Sequence, residues 1–282
     1  MIIWISSYPK SGNTWMRCFL SSYIFSKNGE FTFDLLKNIV QFPTLRHYKN
    51  VNIIPSNLLE SAKGWVLAQD AMNLDNKIKF IKTHNALCNI NNYPFTNKDN
   101  TLGVIYLVRD PRDVLVSYSN HTSMDFNSIL DVILRSKNPS YISSKGVNIG
   151  KIQVTDIVGS IMGNWSENYN SWKNLNFGKK IIIKYEDLIN KPFETFLKVI
   201  IFLNDLYGLK IDEEKIKKSI ISTSFSQLQQ LEKKIGFVEH ASKDTVFFRE
   251  GKIGVWKDKI DNQTIKKIEE TFKKEMNELG YL

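Results

Sequence analysis

The sequence predicts an α/β fold, a single domain with a central, mainly parallel sheet flanked by helices. Short apolar strand patterns alternate along the chain with longer patterns of helical period, as in repeated β-α-β units. The run at residues 102–108 is apolar almost throughout, as expected for a strand buried on both faces of a parallel sheet. No linker, repeat or change of composition divides the chain, so we predict one domain over residues 1–282.

The first predicted strand leads through a short turn into a helix. Residues 2–5 are apolar, and apolar side chains recur from Trp15 to Ile24 with the period of one helix face. The turn at residues 8–15 reads Tyr-Pro-Lys-Ser-Gly-Asn-Thr-Trp. Because a helix N-terminus attracts negative charge, this turn can be a P-loop-like anion site, or it can be an ordinary β-to-α connection. Lys10 precedes the only glycine of the turn, unlike the lysine of the nucleotide P-loop.

The later elements continue the alternation. In the first half of the chain we predict a short helix from Thr32, a helix capped by Ser56, strands at 78–81 and 102–108, and a helix from Pro111. In the second half we predict a core-facing helix from Ile157 to Trp172, a strand at 180–185, helices at about 192–206 and 213–221, and a closing helix from Ile265 to Met276. Residues 136–150 lack periodicity and are predicted to form a mobile loop, and residues 235–257 are predicted to be irregular.

Composition and charge narrow the class of protein. The formal charge of +9 permits an anionic partner, but the 38 Lys and Arg are scattered, so we expect no nucleic-acid partner. The longest apolar run, Val199–Leu203, is too short to cross a membrane. The first strand leaves no room for a signal peptide, and Cys18 and Cys88 are too few for a disulfide framework. We therefore expect a cytoplasmic protein with reduced thiols.

Polar groups follow each of the four predicted strands. The first strand ends in the turn around Lys10, and the others end in Lys82-Thr83-His84, in Arg109 and in Tyr185-Glu186-Asp187. A single histidine or arginine at a strand end is often a packing or salt-bridge residue. Because the carboxyl ends of parallel strands share one edge of a sheet, their coincidence predicts a ligand site there. The four histidines are widely separated and no metal-ligand spacing occurs, so we expect no metal.

These segments resemble those of sulfotransferases that use 3′-phosphoadenosine 5′-phosphosulfate (PAPS). The turn at 8–15 resembles the family's 5′-phosphosulfate loop, and Val104–Asp113, continuing to Ser117, resembles its 3′-phosphate segment. The other similar segments are Lys82-Thr83-His84, Tyr185-Glu186-Asp187, Thr223-Ser224-Phe225, Phe248-Arg249-Glu250-Gly251 and Gly254-Val255-Trp256-Lys257. The segments follow the family's order from residue 2 to about residue 257, so the resemblance covers most of the chain.

The resemblance implies a role for each matching residue. His84 would be the general base, and Lys10 and Lys82 would stabilise charge on the leaving phosphate of the PAPS co-substrate, whose product is 3′-phosphoadenosine 5′-phosphate (PAP). The implied nucleotide-binding residues are Lys10, Ser11, Gly12, Asn13, Thr14 and Trp15 in the loop, Arg109 and Ser117 at the 3′-phosphate, Tyr185, Thr223 and Phe225 near the adenosine, and Arg249 and Gly251 in the C-terminal loop. An imidazole suits a base near pH 7, and a guanidinium offers phosphate a planar fork.

Two residues depart from the family pattern. Asn13 stands where the family usually has Thr, and Glu250 stands where it has Lys, which places a carboxylate beside the implied phosphate site. The acceptor pocket is expected in the least periodic stretches, at about 30–55, 85–100, 136–150 and 235–248. Their aromatic residues fit an apolar or ring-bearing small-molecule acceptor, and fit core packing equally well; they are Phe31, Phe33, Phe42, Tyr48, Tyr93 and Phe95.

Three functions compete at this level. The leading interpretation is a PAPS-dependent sulfotransferase acting on a hydroxyl or amine of a small molecule. A nucleotide-dependent phosphotransferase would need a GK[ST] loop beside Mg²⁺, and the chain has no GK[ST]. A non-catalytic adenosine-phosphate binder is the third, and the joint presence of Lys10, Lys82 and His84 weighs against it. The sequence does not indicate an oligomeric state.

Overall fold

The strands form one main parallel sheet and three short pairs. The computed structural model describes residues 1–136, 159–237 and 246–282, with the backbone of residues 139–140, 147–149 and 152–154. The strands are β1 (Ile2–Ser7), β2 (Ile39–Gln41), β3 (Lys79–Thr83), β4 (Asn89–Ile90), β5 (Tyr93–Pro94), β6 (Thr101–Val108), β7 (Pro139–Ser140), β8 (Val147–Ile149), β9 (Ile152–Val154), β10 (Ser160–Ile161) and β11 (Lys179–Lys184). The main sheet has the order β11-β6-β1-β3-β2, and all its neighbouring strands are parallel.

Helices connect these strands and cover the sheet. They are α1 (Asn13–Phe25), α2 (Leu45–Lys49), α3 (Leu58–Asn73), α4 (Pro111–Thr122), α5 (Phe126–Leu134), α6 (Trp165–Lys173), α7 (Tyr185–Asn190), α8 (Pro192–Tyr207), α9 (Glu213–Ser222), α10 (Phe225–Ile235), α11 (Asn262–Thr271) and α12 (Lys273–Glu278). Two 3-10 helices, Phe33–Asn38 and Val255–Asp258, lie in the connections.

The sheet is buried on both faces, which confirms the predicted fold class. Alternate residues of β1 point to opposite sides, so Trp4 joins a core with α3, α4 and α6, while Ile5 joins a core with α1 and α8. A third cluster, which we call the phenylalanine cluster, packs beside α1 and α10; its members are Cys18, Phe31, Leu36, Leu228, Phe237 and Phe248.

The strand order determines where a ligand site can form. After β1 the chain builds β2 and β3 on one side, and then crosses to β6 and β11 on the other. In an open α/β sheet, such a change of direction leaves a crevice at the carboxyl ends of the central strands. The segments singled out in the sequence follow the carboxyl ends of β1, β3, β6 and β11.

The helix predicted from Ile157 to Trp172 begins later than predicted. Ile161 lies in β10, Gly163 has a φ of 68°, and α6 starts only after Asn164. The Asn164 side chain accepts from the Glu167 N–H while the Glu167 carboxylate accepts from the Asn164 N–H, a capping box that fixes the helix start. Residues 157 and 158 lie outside the described residues, as do most of the loop predicted at 136–150 and part of the irregular segment at 235–257.

Several short elements were missed or misplaced. The sequence analysis missed α5 and α10 as well as β2, and three residues are too few for β2 to show alternation. Tyr185 opens α7 and does not end the strand, and the N-cap of α3 is Asn57 and not Ser56. The predicted closing helix is divided at Phe272 into α11 and α12.

Burial of His47 makes the fold sensitive to acid. Its Nδ1 accepts from the Thr44 N–H at 3.2 Å, and burial, assisted by the charge of Arg46, lowers its pKa from 6.5 to about 4. Between these values the unfolded chain binds a proton that the folded chain does not, so stability falls as pH drops through this window. We expect this group to remove roughly 3 kcal/mol of unfolding free energy. In urea denaturation from neutral to acid pH, the unfolding free energy of His47→Asn should fall less steeply than that of the native protein. Parallel pH dependences of the two proteins would contradict the assignment.

Candidate active site

The turn between β1 and α1 has the geometry of an anion-binding loop. Lys10 and Gly12 have φ values of 66° and 96°, and Gly12 is the N-cap of α1. The first turn of α1 contains no acidic residue and Gly12 has no side chain to cap it, so neither of them neutralises the helix N-terminus. The backbone of this turn can therefore form the predicted anion site, and the start of α1 favours a negatively charged ligand there.

Gly12→Ala is expected to disturb this loop. A Cβ at Gly12 would lie 2.7 Å from the Tyr185 ring, and its φ of 96° is strained for any residue with a side chain. We expect a loss of about 1–2 kcal/mol in unfolding free energy, together with weaker nucleotide binding because both the loop and Tyr185 must shift. Urea denaturation and PAP titration would measure the two effects. As a control, Gly208→Ala changes a glycine whose surroundings are open, and it should not alter PAP affinity.

Ser11 and Asn13 differ in what their side chains do. The Asn13 amide donates to Ile5 O at 3.0 Å and to Ser7 Oγ at 3.2 Å, so it ties the loop to β1. Ser11 Oγ is buried and has no hydrogen-bond partner among the described residues. A buried hydroxyl without a partner is costly, and a phosphate oxygen would satisfy it. Thr14 is half-buried in the first turn of α1.

His84 follows β3 and contacts the end of β1. Its Nδ1 lies 2.8 Å from Ser7 O and 3.3 Å from Ser7 Oγ. Because a carbonyl only accepts, Nδ1 carries the proton in this contact, and the neutral ring then has its basic lone pair on Nε2. Lys82 precedes it by two residues in β3, paired in register with Ile5, and is 7% exposed.

Arg109 connects the loop at Lys10 to residues 247–257, which we call the C-terminal segment. Its Nη1 donates to Lys10 O at 3.3 Å and its Nη2 donates to Lys252 O at 2.9 Å. The guanidinium carbon lies 4.2 Å from the centre of the Tyr185 ring. Arg109 Nε is buried without a hydrogen-bond partner among the described residues. A fixed positive charge with a donor to spare thus lies beside the loop, which suits a phosphate group.

Asp113 links α4 to the segment around Gly254, a contact that the sequence did not predict. Its carboxylate accepts from the Gly254 N–H at 2.7 Å and the Trp256 N–H at 3.2 Å, and lies 3.9 Å from Arg109 Nη2. Burial raises the pKa of the Asp113 carboxyl, against the opposing effect of Arg109. Asp113 therefore holds the C-terminal segment against α4. Ser117 lies one helical turn further on α4, on the face that carries Asp113, and is half-buried.

The predicted adenosine residues form a group, with one change of role. Trp15 Nε1 donates to Thr223 O at 2.9 Å, and the Trp15 and Tyr185 rings meet edge to face at 6.3 Å. Burial raises the pKa of the Tyr185 hydroxyl. Thr223 is fully buried and its hydroxyl donates to Ser219 O at 2.6 Å, so its side chain serves the end of α9 while its carbonyl orients Trp15.

In the C-terminal motif, Gly251 packs against an aromatic ring and Arg249 pairs with a carboxylate. Gly251 has a φ of 60° and packs on the Phe225 ring, which a Cβ would approach to 2.6 Å. The exposed Arg249 side chain lies 3.5 Å from Glu250, whose carboxylate is 3.9 Å from Lys259. Glu250 therefore takes part in surface pairs. The segment also brings the Phe247 ring to 4.5 Å from Lys10 Nζ, a cation–π contact that the sequence analysis missed.

A buried asparagine stands behind His84. Asn168 on α6 is 0% exposed, and its Nδ2 donates to His84 O at 3.0 Å and to Met162 O at 2.8 Å. A readable signal existed, because Asn168 lies between Trp165 and Trp172 at helical spacing, a polar residue on an apolar face.

The described part of the chain offers no alternative centre based on a metal. Within residues 1–136, 159–237 and 246–282, no group of three or more His, Cys, Asp or Glu side chains could hold a metal ion. Cys18 is buried, Cys88 is half-buried, and neither is in a disulfide. Among the helices that the structure describes, none has both the length and the apolar character needed to cross a membrane.

The chain is similar to known sulfotransferases in sequence and in fold. A zebrafish (Danio rerio) cytosolic sulfotransferase 1 is 24% identical over 97% of this chain and 82% of its own length. A flavonol 3-sulfotransferase of Flaveria bidentis is 24% identical over 99% and 82%. Among solved structures, a mouse sulfotransferase complexed with PAP superposes with a TM-score of 0.60 at 20% identity, over 98% of this chain and 84% of that one. Retinol dehydratase in complex with retinol and PAP gives 0.61 at 18% identity, over 98% and 81%.

The family assignment rests on the domain as a whole. The sulfotransferase domain family matches residues 2–280, nearly the entire chain. The match includes the loop at Lys10, His84 and Arg109, which the sheet brings to one edge. This chain belongs to the sulfotransferase domain family.

Proposed function

We propose that this sulfotransferase moves the sulfuryl group of PAPS to a hydroxyl or amine of a small molecule, with His84 as the general base. The observation that carries the proposal is the contact of His84 Nδ1 with Ser7 O at 2.8 Å. It assigns the proton to Nδ1 and the lone pair to Nε2, which is the state a base needs. Family membership supplies the reaction class, and the PAP bound to the related mouse enzyme supports the choice of donor.

His84 accepts the proton that the acceptor loses. The acceptor oxygen or nitrogen forms a bond to sulfur while the bond between sulfur and the bridging phosphate oxygen breaks. The electron pair of that bond passes to the phosphate, and the proton passes to His84 Nε2, so charge and atoms balance. Lys10 and Lys82 carry positive charge where the phosphate becomes more negative, and such placed charges stabilise a transition state most effectively in a site shielded from water.

The loop and Arg109 bind the two phosphate ends of the nucleotide. Backbone N–H groups at the start of α1, with Ser11 and Thr14, hold the 5′-phosphosulfate, while Arg109 and Ser117 hold the 3′-phosphate. Gly12 and Asn13 maintain the loop, one by its left-handed backbone and the other through its amide bonds to β1. Arg249 and Gly251 contribute from the C-terminal segment, with Arg249 the weaker contributor because Glu250 lies beside it.

Aromatic side chains hold the adenosine and shape the acceptor side. Trp15, Tyr185 and Phe225 provide ring surfaces near the loop, and Thr223 acts through its carbonyl on Trp15. The acceptor is a small molecule with apolar or ring character. The retinol bound to the related dehydratase supports this, but Phe42, Tyr48 and Phe95 are buried and belong to the core of this chain. A cytoplasmic location is supported by the cytosolic relative of zebrafish.

Calorimetry combined with turnover tests the proposal. Purified protein is titrated with PAP and with ATP, and is then incubated with PAPS and a panel of phenols, alcohols and amines. We expect PAP to bind more tightly than ATP, and sulfate ester or sulfamate to form on at least one acceptor. Tight PAP binding without transfer to any acceptor would support a non-catalytic binder, and phosphoryl transfer from ATP would support a phosphotransferase.

A further inference from the structure

Asn168 links three elements through one buried side-chain amide. Its Nδ2 donates to His84 O at 3.0 Å and to Met162 O at 2.8 Å, while its Oδ1 accepts from Tyr106 Oη at 2.8 Å. Asn168 is 0% exposed and Tyr106 is 1% exposed. The amide therefore connects β6, the backbone after β3 and the segment before α6, out of contact with solvent.

The surroundings permit only one orientation of this amide. Two carbonyls can be met only by the two N–H bonds of Nδ2, which leaves Oδ1 for the Tyr106 hydroxyl. Both N–H bonds of Nδ2 and one acceptor position of Oδ1 are then used. Replacing the amide with an apolar group would leave two carbonyls and a hydroxyl without their partner, and such losses are costly in a buried site.

His84 is consequently held at two points. Its ring is oriented by Ser7 O, and its backbone is fixed by Asn168. The next residue is held from the same side, since Trp172 Nε1 donates to Asn85 O at 2.9 Å and the Ile161 N–H donates to Asn85 Oδ1 at 2.8 Å. The backbone that carries the base is thus positioned by α6 and β10, and not by β3 alone.

We propose that Asn168 is a positioning residue for His84, which acts by fixing the backbone from which the imidazole reaches Ser7 O. The inference rests on the proposed role of His84 as the base. A movement of the His84 backbone by a fraction of an ångström would lengthen the 2.8 Å contact that sets the Nδ1–H tautomer. Part of the population would then carry its proton on Nε2, where it cannot accept one from the acceptor.

The first test separates an effect on catalysis from an effect on nucleotide binding. Asn168→Ala is expected to lower kcat by about 10- to 100-fold, while the Kd of PAP changes less than about threefold, because the hydrogen bonds of the Asn168 side chain go to His84, Met162 and Tyr106. In a His84→Ala background the same change should cause no further loss of kcat, since Asn168 acts only through His84. Additive losses in the double variant, or an unchanged kcat in the single variant, would overturn the proposal.

Gln69 provides a control for the general effect of removing a buried side-chain amide. Gln69 on α3 is likewise 0% exposed, and its amide donates to Phe95 O at 2.6 Å and accepts from the Thr96 hydroxyl at 2.6 Å, so its hydrogen bonds go to neither His84 nor Asn168. Gln69→Leu should lower the unfolding midpoint and leave kcat unchanged. If Asn168→Ala does not fold, Tyr106→Phe removes one hydroxyl of the same network, and a roughly two- to fivefold loss of kcat at unchanged PAP affinity is expected. An unchanged kcat in Tyr106→Phe would then overturn the proposal.

A spectroscopic readout keeps this inference separate from the proposed function. Nitrogen chemical shifts of the four histidines, with His84 assigned by its loss in His84→Ala, report the tautomer without any turnover. We expect a pure Nδ1–H signal in the native protein and a mixture of tautomers in Asn168→Ala. An unchanged signal in that variant would contradict the positioning role even in an active enzyme. Absence of sulfuryl transfer in the native protein, with the tautomer effect present, would refute only the proposed function.

Discussion

His84→Ala is expected to lower kcat for sulfuryl transfer by about 10²- to 10⁴-fold, the usual contribution of a general base. The imidazole is held through Nδ1 by Ser7 O, and an alanine side chain has no group that could accept a proton in its place. PAP affinity should remain within about threefold of the native value, because the nucleotide is held by the loop at Lys10 and by Arg109. Steady-state kinetics and PAP titration of the same preparation measure both quantities.

Two further results bear on this prediction. If His84 is the base, free imidazole should restore part of the activity of His84→Ala, since it can occupy the space left by the ring and take up the proton. His84→Gln, which keeps a polar side chain but has no basic nitrogen, should be as impaired as the alanine variant. Near-normal turnover in either variant would mean that His84 is not the base, while a large loss of PAP affinity would mean that it serves the nucleotide site.

Arg109→Ala is expected to weaken PAP binding by about 100-fold, which corresponds to about 3 kcal/mol. Arg109 is 8% exposed, and the two hydrogen bonds that its guanidinium donates to Lys10 O and Lys252 O hold the loop and the C-terminal segment together. The change would remove the proposed contact with the 3′-phosphate, and it would also remove the hydrogen bonds to Lys10 O and Lys252 O. Calorimetric titration with PAP is the measurement.

The comparison with other arginines makes this result specific. Arg46→Ala removes the same charge from an exposed position on α2, and PAP affinity should be unchanged. Arg249→Ala should have an effect of less than about tenfold, because Glu250 already pairs with that side chain. Arg109→Lys keeps the charge but loses the planar fork, so it should remain well below native affinity. Native-like PAP affinity in folded Arg109→Ala would place the 3′-phosphate elsewhere.

The sequence predicted the fold because its main signals are local. The apolar run that became β6 is long and bounded, and the helical period of α1, α8 and α9 is carried by residues close in the chain. The predictions that failed concern elements that are very short or whose sequence pattern is interrupted in the structure. β2 has three residues, and the apolar period before Trp165 was interrupted by Gly163 and by the Asn164 capping box.

The sequence predicted which candidate residues share one edge of the sheet, but not the contacts between them. Lys10, His84 and Arg109 were chosen by residue type and by position at strand ends, and the structure places them at the carboxyl ends of neighbouring strands. The contacts that orient them are non-local, such as Asn168 with His84 across 84 positions and Arg109 with Lys252 across 143. Thr223 and Asn13 were predicted as ligand contacts, but their side chains bond within the fold, a distinction that only the geometry of α9 and β1 provides.

Transfer of labelled sulfur from PAPS in the presence of a metal chelator tests most directly whether His84 is the base of a PAPS-dependent sulfotransferase. Native protein and His84→Ala would be incubated with the same panel of phenols, alcohols and amines. We predict labelled product with the native protein, undiminished by the chelator, and at least about 10²-fold less with His84→Ala. No labelled product on any acceptor despite tight PAP binding, or equal product from both proteins, would contradict the assignment of His84 as the base of a PAPS-dependent sulfotransferase.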